Sequence, residues 1–172
     1  MLGKVVLLAV GVIVCLGDAK DMKECGKIFH PRTSRCCKTS GVKLNIGDGI
    51  RECFEEHKGL ALPSSDLHEP PPCDLDKCLA EKRGILNDQG SIDKDKLKNV
   101  VQTEFSSRPA LLKKIIDNCI EGDASKYAPA DFCELIKMRN CILVQACSEC
   151  TDWDNTDENC KEMKELVVKC ES

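Results

Sequence analysis

The sequence predicts an all-α fold, in which six or seven short helices are cross-braced by disulfides around an internal apolar cavity. Three observations support the helices and their disulfide bracing. Apolar residues recur at helical spacing in several segments, β-branched residues adjoin only as short pairs inside those segments, and fourteen cysteines occur in 172 residues. So many cysteines are typical of a protein that folds in an oxidising compartment.

The segment from Cys73 to Arg83 is the helix around which we expect the others to be arranged. Cys73 and Cys78 are five positions apart, which corresponds to about 7.5 Å along a helix axis. The Cα atoms of a disulfide lie roughly 4.4–6.8 Å apart, so these two cysteines should bond to separate segments. Cys36 and Cys37 are adjacent, with Cα atoms about 3.8 Å apart. They too should join two different elements.

Capping residues, prolines and glycines place the remaining helices. They are predicted over 48–57, through Leu97, Val100 and Val101, over 106–120, over 129–147, and in a last helix that is capped by Asn155 with Glu158 three residues on.

The N-terminus has the layout of a secretory signal peptide. Lys4 precedes an apolar run from Val5 to Leu16, and the small residues Gly17 and Ala19 follow. The run is shorter than the about 20 residues of a transmembrane helix. We therefore predict a signal at 1–19 and a secreted protein. Residues 20–172 should form a single disulfide-rich helical ligand-binding domain, with an irregular N-terminal strap (20–47) and a C-terminal extension helix (151–172).

The sequence favours neither an enzyme nor a metal or nucleic-acid site. The net charge is −4 with both signs interspersed, so there is no basic stripe for nucleic acid. The three histidines lie in different segments. Cys147-Ser-Glu-Cys150 lacks a second such pair, and in a secreted chain it is typical of framework cysteines. We predict no catalytic residue, no metal and no cofactor.

Two explanations of the many disulfides stay open. A domain of this size buries about 68–70% of its unfolded surface and does not obviously need six of them. A hollow centre of about 300 Å³ would cost about 7 kcal/mol at ~24 cal/mol per Å³, which disulfides at about 2–4 kcal/mol each could offset. The alternative is a durable secreted protein with a filled core that acts by surface binding to another protein.

Several segments resemble the insect odorant-binding proteins, over roughly 48–150. They are Gly49-Ile-Arg-Glu-Cys53, the stretch from Cys73 through Cys78 to Asp93, Ile115-Ile-Asp-Asn-Cys119, and the pair Cys141 and Cys150 with eight residues between them. The Cys36-Cys37 doublet, Cys133 and the tail with Cys160 and Cys170 resemble the cysteine-rich "plus-C" branch of that family.

The resemblance implies an interlocked set of disulfides, in which the first core cysteine bonds the third, the second the fifth and the fourth the sixth. Carried onto this chain, the pairs are Cys53–Cys78, Cys73–Cys141 and Cys119–Cys150. An alternative frame makes Cys133 the fifth and Cys141 the sixth, with seven residues between them where the family has eight. The count of thirteen cysteines after the signal is odd, and Cys147, which has no role in the frame, is predicted to be free.

For function, the resemblance implies a non-enzymatic carrier of small hydrophobic molecules, such as odorants or pheromone-like compounds, in extracellular lymph. Its partners would be the ligand and a membrane chemoreceptor, in a role in olfaction and transport, and the protein would be a monomer or homodimer. Because aromatic residues make up only 3% of the chain, the pocket should be mainly aliphatic. The predicted lining residues are Phe54, Leu97, Val101, Phe105, Leu112, Ile116, Phe132, Ile136 and Leu143.

Overall fold

Six α-helices form the framework of the part of the domain that the structure describes. The computed structural model describes residues 25, 28, 36–38, 49–57 and 72–171; the predicted signal peptide and most of the predicted strap lie outside them. The helices are α1 (Gly49–Glu56), α2 (Asp74–Lys82), α3 (Lys94–Glu104), α4 (Pro109–Ile115), α5 (Glu134–Ser148) and α6 (Glu158–Glu171). Within the described residues, extended pairing is limited to two isolated β-bridges. The predicted all-α, disulfide-braced fold is confirmed.

The connection from α2 to α3 is a tight turn that the sequence encodes locally. Gly84 has φ +65°, a left-handed conformation that a residue without Cβ adopts easily. The N–H groups of Gly84 and Ile85 donate back to the last turn of α2, which is the usual way to end a helix at glycine. Asp93 then caps α3, because its carboxylate accepts hydrogen bonds from two backbone N–H groups of the first turn, at 3.1 Å each.

The helix predicted over 106–120 is divided into two parts. α4 begins at Pro109, and a π-helical turn occupies Ile116–Ile120. The wider turn brings two consecutive residues, Cys119 and Ile120, into the core, each with 1% exposure. Gly122 follows, and a Cβ at that position would lie 2.6 Å from the carbonyl oxygen of Asn118. A regular period of 3.6 residues does not reveal such a turn.

Two helix starts differ from the predictions. α5 begins at Glu134 rather than near Pro129, because Cys133 is extended, with ψ 157°, and is bonded to Cys73. α6 is capped by Asp157 rather than Asn155, since the Asp157 carboxylate accepts from the backbone N–H of Asn159 at 2.8 Å. A 3₁₀ helix at Ala124–Tyr127, which the sequence did not indicate, precedes α5.

Six disulfides brace these helices. Cys73 and Cys78 bond to different partners, Cys133 and Cys53, which confirms the argument from helix geometry. Cys36 and Cys37 likewise join two elements: Cys36–Cys160 reaches α6, and Cys37–Cys150 reaches the end of α5. Cys25–Cys170 is the sixth bond. Cys147 is the one free cysteine among the described residues, as predicted.

Two of the pairs implied by the resemblance are wrong. Cys73 bonds Cys133 rather than Cys141, and Cys119 bonds Cys141 rather than Cys150. The reason is distance along α5: Cys141 lies eight positions after Cys133, about 12 Å up the helix, where it faces the π turn at a Cα separation of 5.7 Å from Cys119. The interlocked order is retained in the alternative frame, with Cys133 fifth and Cys141 sixth.

A single core cluster extends through the domain and is most completely filled around α5. Its most completely buried apolar residues come from α4, the π turn, α5 and α6: Leu111, Ile115, Ile120, Val144 and Val167. Gln145 is also fully buried; its amide joins Asn118 at 2.9 Å and the hydroxyl of Tyr127 at 3.1 Å. A buried amide that is hydrogen-bonded on both sides fixes the packing of α5 against the π turn.

Candidate ligand-binding site

Next to this core the described residues form a partly open pocket of about 260 Å³. Its walls are α2, the turn after it, α3 and α5. Thirteen apolar side chains line it: Leu75, Leu79, Ala80, Ile85, Ile92, Leu97, Val100, Val101, Phe105, Leu135, Met138, Ile142 and Leu143. Phe105 is the one aromatic residue among them, so the lining is almost wholly aliphatic.

Helical periodicity explains why three helices present apolar faces to one space. α2 contributes Leu75 and Leu79, which are four positions apart, and α5 contributes Leu135, Met138 and Ile142 at intervals of three and four. Residues at such intervals lie on the same face of a helix. Because Cys73–Cys133 joins the N-terminal ends of α2 and α5, these two faces are held opposite each other.

Four of the predicted lining residues lie at this pocket: Leu97, Val101, Phe105 and Leu143. Four others do not. Leu112 and Ile116 are partly buried against the filled core, Ile136 is 1% exposed without lining the pocket, and Phe132 is half-buried at the turn before α5. The side chain of Phe54 is outside the part of the chain that the structure describes.

Four charged residues also line the pocket, as two ion pairs. Arg139 Nη1 donates to Asp76 Oδ1 at 2.7 Å, and Arg83 lies 3.3 Å from Glu104. The Asp76 side chain is the most buried of the four, at 9% exposure against 40% for Arg139. Burial raises the pKa of the Asp76 carboxyl above its ordinary value, and the opposing attraction of Arg139 only partly offsets this effect. The pocket therefore combines an aliphatic interior with one buried, paired carboxylate.

The lining residues that sequence reasoning missed come from every wall of the pocket, and α2 is the helix it missed altogether. Leu75, Leu79 and Ala80 give α2 an apolar face beside its cysteines. The spacing of Leu75 and Leu79 would have indicated that face. Nothing in the sequence indicated that Asp76 and Arg139, which are 63 positions apart, would meet at the pocket wall.

One group of potential metal ligands occurs in the described residues, at Glu56, His57 and Cys78. The Cys78 sulfur is bonded to Cys53 and has no thiolate to offer. The two remaining groups fall short of the three or four protein ligands that a zinc site requires. This group therefore does not make a metal site.

Comparison with known proteins identifies the family. The PBP/GOBP family model matches residues 18–144, a span that includes all three walls of the pocket and ends shortly after Cys141, the sixth cysteine of the observed frame. No curated protein and no solved structure shows significant similarity to the chain. No helix in the described ranges is long and apolar enough to cross a membrane. Since the match covers well over half of the 172 residues, the chain belongs to the PBP/GOBP family of insect odorant- and pheromone-binding proteins, and its additional disulfides fit the cysteine-rich branch.

Proposed function

We propose that this protein is a secreted carrier that binds a small hydrophobic molecule in the pocket between α2, α3 and α5 and transports it through extracellular lymph. The observation that carries the proposal is the aliphatic pocket itself, whose walls include buried core residues such as Leu97, Val101 and Phe105. Membership of a small-ligand-binding family supports it. Export through a signal peptide at 1–19, a role in olfaction and delivery to a membrane chemoreceptor belong to the same proposal.

The volume of the pocket sets the size of the ligand. A 150 Å³ apolar cavity holds benzene, which has six heavy atoms. By proportion, 260 Å³ accommodates about ten heavy atoms. Micromolar affinity requires about −8.2 kcal/mol, or roughly −0.8 kcal/mol per heavy atom, which lies within the range of about −0.3 to −1.5 observed for small ligands. We therefore expect micromolar binding of aliphatic compounds with eight to ten carbons, about the size given by this proportion.

The test is isothermal titration of the purified mature protein with nonan-2-one, together with a variant that fills the pocket. Val100 is half-buried on α3 and lines the pocket, so Val100→Trp should occupy much of the space and abolish binding. The matched control is Val168→Trp, because Val168 is 66% exposed on α6 and lies away from this pocket. The control should bind as the wild type does.

Thermal denaturation of both variants shows whether they are folded. If the wild type binds no aliphatic compound at micromolar concentration, the carrier proposal is wrong and the alternative of a surface-binding secreted protein is favoured. If folded Val100→Trp binds nonan-2-one as tightly as the wild type does, the ligand binds at a different site.

A further inference from the structure

Two ion pairs lie on the pocket wall, and Asp76–Arg139 differs from Arg83–Glu104, whose side chains are 27% and 21% exposed, in the burial of one partner. One partner is buried, the pair lies on the wall of the apolar pocket, and its shortest contact is 2.7 Å. Pairs such as Lys98–Glu121 are at the surface, with side chains that are 36% and 57% exposed. Water screens surface charges strongly, whereas charges beside an apolar space act on whatever occupies that space.

Arg139 retains donors that a ligand could use. Its guanidinium carries five N–H donors, and within the described residues its recorded partner is Asp76, through one nitrogen. The positive charge is already compensated by the Asp76 carboxylate. An acceptor atom placed in the pocket beside Arg139 would therefore meet hydrogen-bond donors without meeting a net charge.

These two features decide which polar groups the site accepts. A carboxylate in the pocket would add a second negative charge beside Asp76, and an ammonium group would add a second positive charge beside Arg139; both would also lose their hydration. A neutral carbonyl oxygen avoids both costs and satisfies an Arg139 N–H. A ligand in the pocket therefore meets an ion pair without a net charge.

We infer that Asp76 and Arg139 make the pocket selective for neutral aliphatic molecules that carry a hydrogen-bond acceptor, such as ketones, aldehydes or esters, over carboxylates and amines of the same size. This inference rests on the proposed carrier function and specifies its ligand class. It makes Asp76 and Arg139 the residues that determine charge specificity.

The experiment compares three compounds of equal heavy-atom number, nonan-2-one, octanoate and nonylamine, by calorimetric titration at neutral pH. In the wild type, nonan-2-one should bind at least about tenfold more tightly than either charged compound, a difference of ~1.4 kcal/mol. Two variants should then change the preference in opposite directions. Asp76→Asn leaves Arg139 uncompensated and should raise octanoate affinity at least about tenfold. Arg139→Gln leaves the charge of Asp76 uncompensated. It should raise the affinity for nonylamine and lower the affinity for nonan-2-one.

The matched control is Glu121→Gln, which removes one negative charge outside the pocket and should leave all three affinities unchanged. Failure of nonan-2-one to bind the wild type overturns the carrier function and this inference together. Binding of nonan-2-one with equal binding of octanoate, or the same increase in octanoate affinity for Asp76→Asn and Glu121→Gln, overturns the inference alone. Because the Asp76 side chain is 9% exposed and that of Arg139 is 40% exposed, Arg139→Gln leaves a buried charge unpaired and is the more destabilising variant. If it does not fold, the gain of octanoate affinity by Asp76→Asn is sufficient to decide.

Discussion

Shortening one leucine at the pocket and one in the filled core should have different consequences, although the chemical change is the same. Leu79 on α2 lines the pocket and is half-buried. Leu111 on α4 is 1% exposed and does not line the pocket. The comparison of Leu79→Ala with Leu111→Ala therefore tests whether the pocket is empty space in the folded protein.

The expected magnitudes follow from burial. Leu111→Ala removes well-packed atoms and leaves a closed cavity, so it should cost about 2–5 kcal/mol of unfolding free energy. Leu79→Ala removes three carbons at ~0.8 kcal/mol each if fully buried; for a half-buried side chain that already borders empty space, the loss should be about 1 kcal/mol. Loss of the same contacts should lower the affinity of Leu79→Ala for nonan-2-one by about fivefold. Leu111→Ala should bind nonan-2-one as tightly as the wild type does.

Thermal or urea denaturation with the disulfides intact gives the stability change, and calorimetric titration gives the affinity. A loss of about 1 kcal/mol corresponds to roughly 2–4 °C in Tm for a domain of this size. The reasoning fails if Leu79→Ala is as destabilising as Leu111→Ala, because its side chain would then be packed against a filled centre. It fails equally if Leu79→Ala does not alter ligand affinity.

Three further predictions concern single groups. The pKa of the Cys147 thiol is raised to about 11 by burial, so it should react slowly with iodoacetamide at neutral pH and rapidly in denaturant; rapid reaction of the folded protein would contradict this. The pKa of the Asp76 carboxyl is raised above 3.8, so the stability that its protonated form contributes is present at acid pH and is lost as the pH rises through the raised pKa. The Tm of Asp76→Asn relative to the wild type should therefore increase as the pH rises above 3.8; a constant difference would refute this. Lys114 contacts Glu149 at 2.7 Å and Glu171 at 3.1 Å. Because Lys114 is partly exposed, Lys114→Met should lower the free energy of unfolding by less than about 1 kcal/mol. A larger loss in urea denaturation would show that this contact is essential to α6.

Much of the helical framework could be predicted because its signals are local. The start of α3 at Asp93 and the end of α2 at Gly84 depend on side-chain capping and on a left-handed backbone, which individual residue types encode. The π turn at Ile116–Ile120 could not be predicted in this way, because it depends on Cys119 reaching Cys141 across the core. The late start of α5 has a similar cause, since Cys133 is held extended by a bond to a residue 60 positions away.

The candidate site could be predicted where a helix has a narrow apolar face and could not where it has a broad one. α3 carries three apolar residues, Leu97, Val100 and Val101. They lie on one face, so the sequence indicates which face of α3 is buried. α5 is apolar over much of its circumference, and the pattern alone does not distinguish Ile136, which faces the core, from Ile142, which faces the pocket. Periodicity shows that a face is buried but not what it is buried against.

The observed disulfides also determine which pocket walls are held covalently. α2 is bonded near its start to Cys133 at the beginning of α5 and, through Cys78, to α1, so the separation of the α2 and α5 walls is fixed at one end. α3 contains no cysteine. The Arg83–Glu104 ion pair links its last residue to the end of α2, Lys96 Nζ donates to the Leu86 carbonyl oxygen at 3.0 Å, and apolar side chains of α3 line the pocket. The two bonded walls also provide Asp76 and Arg139, so the disulfide that joins these walls helps to hold the charged pair together. No disulfide of the described residues reaches α3, so under the proposed carrier function we expect ligands of different length to be accommodated on the α3 side of the pocket.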